Sequence, residues 1–276
     1  MPVISTNNAA NSALNYLNTN SSQETNKLAM LASGSRVVQA SDDAAGLAIG
    51  TQLNAGVTVY TQDQTNVQQG TAILQTADGA LAQISNVLQR MMALATEAAS
   101  GQVTNVQRSQ DINTEYQQLS QEITSVVSST TYAGQTLLSG SFLSNVKFLV
   151  GTLSSNFITI SVATVSAAGL LGTSGATVST AATALAAINT INSAIQTITQ
   201  DRAKIGAYES QFSFSGQDIA TNIQNVGAAA SVVMDADVAQ VKSQLSANDV
   251  KTQASVAALT QASMLPQELL RLIQAP

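Results

Sequence analysis

The chain has 276 residues and is 45% hydrophobic, but only ten residues are Phe or Tyr and much of the apolar content is alanine. Alanine is the best helix former and buries little area, so the composition favours long, closely packed helices over a thick mixed core. The absence of histidine and cysteine excludes thiol and imidazole chemistry, disulfides and the usual zinc, haem and iron–sulfur ligands, and a net charge of −6 with ten scattered Lys and Arg leaves no basic stripe for nucleic acid.

Met1–Thr6 has neither a cationic nor an apolar signal region, so no cleaved secretory signal is expected there. No stretch approaches the roughly 18 consecutive apolar residues of a membrane span, and no membrane insertion is expected. The first periodic stretch is Ala10, Leu14, Leu17, Ser21, Glu24, Leu28 and Leu31, a four–three seam interrupted by two polar residues. Ser41-Asp42-Asp43 reads as a helix start rather than a metal or acid–base pair. Ser41 is the expected N-cap, with both aspartates facing the positive end of the dipole.

From Ile73 the seam is strong: Ile73, Ala77, Ala80, Ile84, Val87, Met91, Leu94 and Ala98 alternate steps of four and three. A second row, Leu74, Leu81, Leu88 and Ala95, repeats every seven, so this helix is expected to pack on more than one neighbour. Gly101 is its expected end. A polar link from Gln102 to Gln110 leads to a second helix with Ile112, Tyr116, Leu119, Ile123, Val126 and Thr130 on its seam, an antiparallel hairpin.

Only the middle departs from helix. Val146–Val150 and Phe157–Val162 read as strands of a hairpin, with Ile158, Ile160 and Val162 alternating with Thr159 and Ser161. Ala163–Thr180 reads as a loop. Its Ser and Thr, with others from Ser139 to Thr183, are candidates for O-linked sugars.

The longest seam follows: Ala184, Ile188, Ile191, Ile195, Ile198, Arg202, Ile205, Glu209, Phe212, Gly216, Ile219, Ile223, Val226, Ala230 and Val233 keep one register. Fifty such residues form a helix about 75 Å long, with Arg202, Glu209 and Gly216 as its weak points. Asp235 and Asp237 read as the start of a last helix, whose seam is Val250, Ala254, Ala257, Gln261 and Met264. Both terminal helices are too weak to stand alone and are expected to order on packing.

The expected fold is mainly α: an elongated antiparallel helical bundle or coiled coil from both termini, with a small β-hairpin region at the central tip. Residues 1–40 and 235–276 are the two halves of a terminal coiled-coil domain. Residues 41–140 and 181–234 supply the helices of a rod domain, and 141–180 the hairpin and a short tip. No phosphate-binding glycine motif occurs, and no Ser–His–Asp arrangement is available without histidine, so no catalytic, cofactor or metal residues are expected.

From Ser33-Gly34-Ser35-Arg36-Val37 through Ser41-Asp42-Asp43-Ala44-Ala45-Gly46-Leu47-Ala48-Ile49 the sequence resembles bacterial flagellin. The resemblance continues through Asp78–Leu81, Val87–Arg90, Lys147–Gly151 and Ile158–Ile160 to Gln261–Leu270, covering nearly the whole chain in order. It implies a minimal flagellin, without large variable outer domains. Such a protein self-assembles into the helical filament for swimming motility and lies outside the cell, exported without a cleaved signal through a type III apparatus. The implied partners are other copies of the chain, other flagellins, an export chaperone at the C-terminal segment, and the filament cap and hook-junction proteins.

Leu14, Leu17, Leu28, Leu31, Val250, Ala254, Ala257 and Met264 are the candidate polymerisation residues. In some flagellins a helix patch binds an innate immune receptor. The matching residues here are Leu88, Gln89, Arg90, Leu94 and Glu115, but Met91-Met92-Ala93 supplies no second arginine and no acid. The alternatives are a flagellin-like surface-binding protein or adhesin, and a hook–filament junction protein.

Overall fold

The computed structural model describes residues 7–139, 142–172 and 175–274. The expectations placed on Met1–Thr6, on the tip at 140–141 and 173–174, and on the last two residues lie outside them. In chain order the elements are α1 (Asn8–Ser33), α2 (Ala44–Ala99), α3 (Asn105–Gln107), a π-helical turn (Arg108–Ile112), α4 (Asn113–Ser129), β1 (Thr131–Tyr132) and β2 (Gln135–Thr136). A 3-10 turn (Phe142–Ser144), β3 (Val146–Leu149), β4 (Phe157–Ile160), α5 (Ala167–Leu171), α6 (Ala181–Met234) and α7 (Val238–Gln274) complete it. The fold is mainly α, and it divides into a unit of residues 1–55 with 225–276 and a unit of residues 56–224.

The core of the second unit is built on the two strong seams. Ile73, Ala77, Ile84, Met91, Leu94 and Ala98 are buried, as are Leu74, Leu81, Leu88 and Ala95 of the second row. One face meets α6, where Ala184, Ile191, Ile198, Ile205, Phe212 and Ile219 are buried. Another meets α4 through Tyr116, Ile123 and Val127 and the segment that follows it through Leu137 and Leu138. Small residues allow the close approach of α2 and α6: a Cβ on Gly70 would lie 2.7 Å from Phe212, and one on Gly216 3.2 Å from Val67.

Helix α6 runs unbroken through its three weak points. At the first of them Arg202 turns outward to Asp78 at 2.8 and 3.1 Å, and the buried place beside it goes to Asp201, held by Lys204 at 2.9 Å.

The expected hairpin forms with Val146 opposite Ile160 and Leu149 opposite Phe157. Ile158, Ile160 and Val162 are buried while Thr159 and Ser161 face out. The hairpin is fixed to α6 by an edge-to-face pair, Phe148 on Phe212 at 5.4 Å and 87°.

Five local expectations are corrected. The Gln102–Gln110 link is mostly helix, because Thr104 and Gln107 form a capping box that starts α3. A second small hairpin joins β1 to β2, turned by Ala133 and Gly134, both at positive φ; alanine there hides the usual turn signal. The segment after β4 contains α5 and buries Val165, Leu171 and Val178. The N-cap of α2 is Asp43, whose Oδ1 accepts from Gly46 N at 2.8 Å, whereas Ser41 lies outside the helix and Asp42 accepts from the Val38 and Gln39 amides. Asp237 caps α7 by accepting from the Ala239 and Gln240 amides, but Asp235 instead pairs with Ser35 in a β-bridge.

The turn after α2 is closed by Arg108, which is 5% exposed. Its guanidinium donates to the carbonyls of Ala98 at 2.5 Å and of Ser100 and Val103 at 3.1 Å, and to Asn105 Oδ1 at 2.7 Å. No acid faces it among these partners; the negative end of α2 supplies the compensation. Arg108→Ala strands three carbonyls and is expected to cost about 2–3 kcal/mol, read as a lower urea midpoint. Arg108→Lys is expected to recover little, since one ammonium cannot span those acceptors.

Asp63, on α2, is 1% exposed and its Oδ2 has no hydrogen-bond partner. Burial holds its carboxyl above the ordinary aspartate range. The folded chain therefore keeps this proton to higher pH than the unfolded chain, and stability falls as pH rises from the ordinary aspartate pKa through the raised one. Asp63→Asn is expected to raise the melting temperature at pH 7, and the gain is expected to vanish near pH 3, below the ordinary value of about 3.9.

Candidate assembly surface

In the first unit, α1 and α7 pair antiparallel along heptad positions. On α1 the positions turned inward are Ala10, Ala13, Leu17, Asn20, Glu24, Lys27 and Leu31; on α7 they are Val241, Leu245, Asn248, Thr252, Ser255, Leu259 and Ala262. Asn7 Nδ2 donates to the Ala262 carbonyl at 2.6 Å, Asn20 Nδ2 to Ser255 Oγ at 3.0 Å, and Thr252 Oγ1 to Glu24 Oε2 at 3.2 Å.

This corrects both terminal seams. Leu17 and Leu31 lie on the inner seam, but Leu14 and Leu28 face out, 44% and 58% exposed. Every residue of the expected α7 seam faces out: Val250 is 65% exposed, Met264 50%, and Ala254, Ala257 and Gln261 are also exposed. Choosing apolar residues at heptad spacing took the outer face on α7 and mixed the two faces on α1, because the inner seam is polar at its centre. Tyr16, Val238 and Val256 add to the exposed apolar surface. Helix α1 contains no fully buried residue at all.

The joint beneath this pair is closely bonded. α1 ends on Gly34 at φ 69°, a position suited to glycine. The Arg36 amide donates to the Met234 carbonyl at 2.6 Å, and the Ala236 amide to the Gly34 carbonyl at 3.0 Å. Arg36 also reaches the Val233 carbonyl at 2.9 Å and Asp43 at 3.6 Å. The signature Ser33–Ile49 thus contains the α1 stop, the joint and the α2 cap. The side chain of Met234 rests where Gly50 has no Cβ.

The five residues of the receptor-like patch separate in the second unit. Leu88 and Leu94 are core residues, 0% and 2% exposed. Gln89, Arg90 and Glu115 reach the surface, where Arg90 binds Glu115 through Nε at 2.9 Å and Nη2 at 2.6 Å. Among the described residues no group of three Asp, Glu, His or Cys is placed to hold a metal ion, and no helix is long and apolar enough to cross a membrane.

The family model described as the bacterial flagellin N-terminal helical region matches residues 4–142, and that of the C-terminal helical region matches residues 188–273. A flagellar filament 30.7 kDa core protein of Treponema maltophilum is 30% identical over 284 residues, covering 98% of this chain and 99% of that protein. A flagellin of Halalkalibacterium halodurans is 30% identical over 274 residues, covering 99% of this chain and all of that protein. A solved Bacillus cereus flagellin is 28% identical with a TM-score of 0.49, over 56% of this chain and 88% of that one. The signature that joins α1 to α2, the family-model matches at both ends and the relatives 30% identical over nearly the whole chain have one common reading: the chain belongs to the bacterial flagellin family.

Proposed function

We propose that the chain is the structural subunit of a flagellar filament, self-assembling into a helical polymer outside the cell for swimming motility, and that it is not an enzyme. The observation that carries the assembly surface is the outer stripe of α1 and α7. Leu14 and Leu28, and Val250, Val256 and Met264, present apolar side chains to water on helices whose mutual seam is polar at its centre. Large apolar side chains exposed along one helix pair mark an interaction site, and a second copy is the occupant proposed for it. Burial between copies is worth about 25 cal/mol per Å². The family match favours the filament over the hook–filament junction and surface-receptor alternatives.

The finer roles belong to the same proposal. The chain is exported without a cleaved signal by a type III route, with a chaperone covering the C-terminal segment. It meets cap and hook-junction proteins at the filament ends and can share the filament with other flagellins. Ala254 and Ala257 allow close approach on the outer face, Leu17 and Leu31 support the stripe from the inner seam, and Arg90 contacts a neighbouring copy.

Purified chain, added to preformed seeds and viewed by negative-stain microscopy, is expected to grow long uniform filaments while both ends gain protease resistance. A chain that stays monomeric with protease-sensitive ends under these conditions overturns the proposal.

A further inference from the structure

A seam of small and polar side chains holds two helices weakly, and the pattern of those polar side chains can still dictate how they align. At the centre of the α1–α7 pair, Asn20 meets Ser255 and Glu24 meets Thr252, with Leu17 and Leu259 to one side and Leu31, Leu245 and Val241 to the other. The alternative most available to a heptad pair is a slip of seven residues, which keeps the same faces together.

Either direction of slip has the same consequence. Moving α7 by seven residues places Leu245 or Leu259 opposite Glu24, and Leu17 or Leu31 opposite Thr252. Each slipped register therefore seats a carboxyl group and a hydroxyl against leucine, with their hydrogen bond broken. Lys27, half-buried on the same seam, stands near Asn248 in the observed alignment and opposite Val241 or Ser255 after a slip.

We propose that Glu24 and Thr252, supported by Asn20 and Ser255, are the residues that select the register of the two terminal helices. Their exclusion of slipped pairings is obtained at the expense of pair strength. The consequence for assembly rests on the reading above. A slip of seven residues displaces the α7 stripe along α1 by about 10 Å, so one register gives every copy the same outer surface.

The native chain has no cysteine, so two spin labels can be placed cleanly at Ser12→Cys and Ser243→Cys, both exposed positions. Double electron–electron resonance is measured on the full chain, in trimethylamine N-oxide raised until circular dichroism shows the terminal helices formed. Labelled copies are diluted with unlabelled chain so that only distances within one copy are read.

The expected result is one narrow distance for the native seam, corresponding to about 30 Å along the axis. With Asn20→Leu, Glu24→Leu and Thr252→Leu combined, a second population displaced by about 10 Å is expected, and the helices form at lower osmolyte. The exchanged pair Glu24→Thr with Thr252→Glu is expected to restore a single distance, because either slip again sets the carboxyl against leucine. A single unchanged distance in the leucine variant, a slipped population in the exchanged variant, or several distances in the native chain once helical would each overturn the proposal. Failure of filament growth leaves this measurement unaffected.

Discussion

With Leu28→Asp or Met264→Asp, filament growth from seeds is expected to stop at subunit concentrations that support the native chain. Leu28 is 58% exposed and Met264 50%, so neither change disturbs a core in the single copy, and its thermal melting is expected to stay within about 0.5 kcal/mol of native. Between copies the outcome differs. Each aspartate removes apolar burial and brings a charge with no partner into the contact, costing about 3 kcal/mol per subunit. Since about 1.4 kcal/mol is a factor of ten, the concentration needed for growth rises roughly a hundredfold. Sedimentation of assembled mass against total protein reads this shift directly. Normal growth by either variant would remove the outer stripe from the assembly interface.

Phe212→Ala is the companion case, with stability rather than assembly as the readout. Phe212 is fully buried, packs edge-to-face on Phe148, and fills the space that Gly70 leaves open on α2. Its ring therefore joins two helices and the β3–β4 hairpin, and truncation leaves a cavity that none of the three can close alone. The expected loss is about 4 kcal/mol, a fall in melting temperature of roughly 10 °C. Gly70→Ala approaches the same site from the other side, since its Cβ would lie 2.7 Å from the ring, and is expected to destabilise by about 1–3 kcal/mol. A native melting curve for Phe212→Ala would mean that the hairpin is not anchored to α6 through this residue.

The contrast between the two cases shows where the fold was legible in the sequence. Apolar periodicity identified the strong seams of α2, α4 and α6 because their contacts are made by Ile, Leu, Met and Phe in a dry core, the situation that a hydrophobic repeat reports. It misplaced the terminal seams because the inner faces of α1 and α7 carry Asn20, Glu24, Lys27, Asn248, Thr252 and Ser255, while the outer faces keep Leu14, Leu28, Val250 and Met264. A rule that places apolar residues inside a single chain fails where those residues lie on the outer face of a helix pair, the face that the proposed assembly would cover. The missed signal was in view: Asn20 and Lys27, flanking Glu24 of the expected seam, keep the same four–three spacing as the leucines. Arg108 was missed for a different reason. One arginine in a polar link carries no periodicity, and its role appears only when the end of α2 brings three carbonyls to it.

The direct test is hydroxyl-radical footprinting of single copies and of filaments, read residue by residue by mass spectrometry. Leu14, Leu28, Val250 and Met264 are expected to be modified readily in the single copy and to become protected severalfold in the filament. Leu153, at 62% exposed on the β3–β4 turn, serves as a reactive reference. Equal modification of those four residues in both states would contradict the account, because filaments would then form with the outer stripe of α1 and α7 still in water.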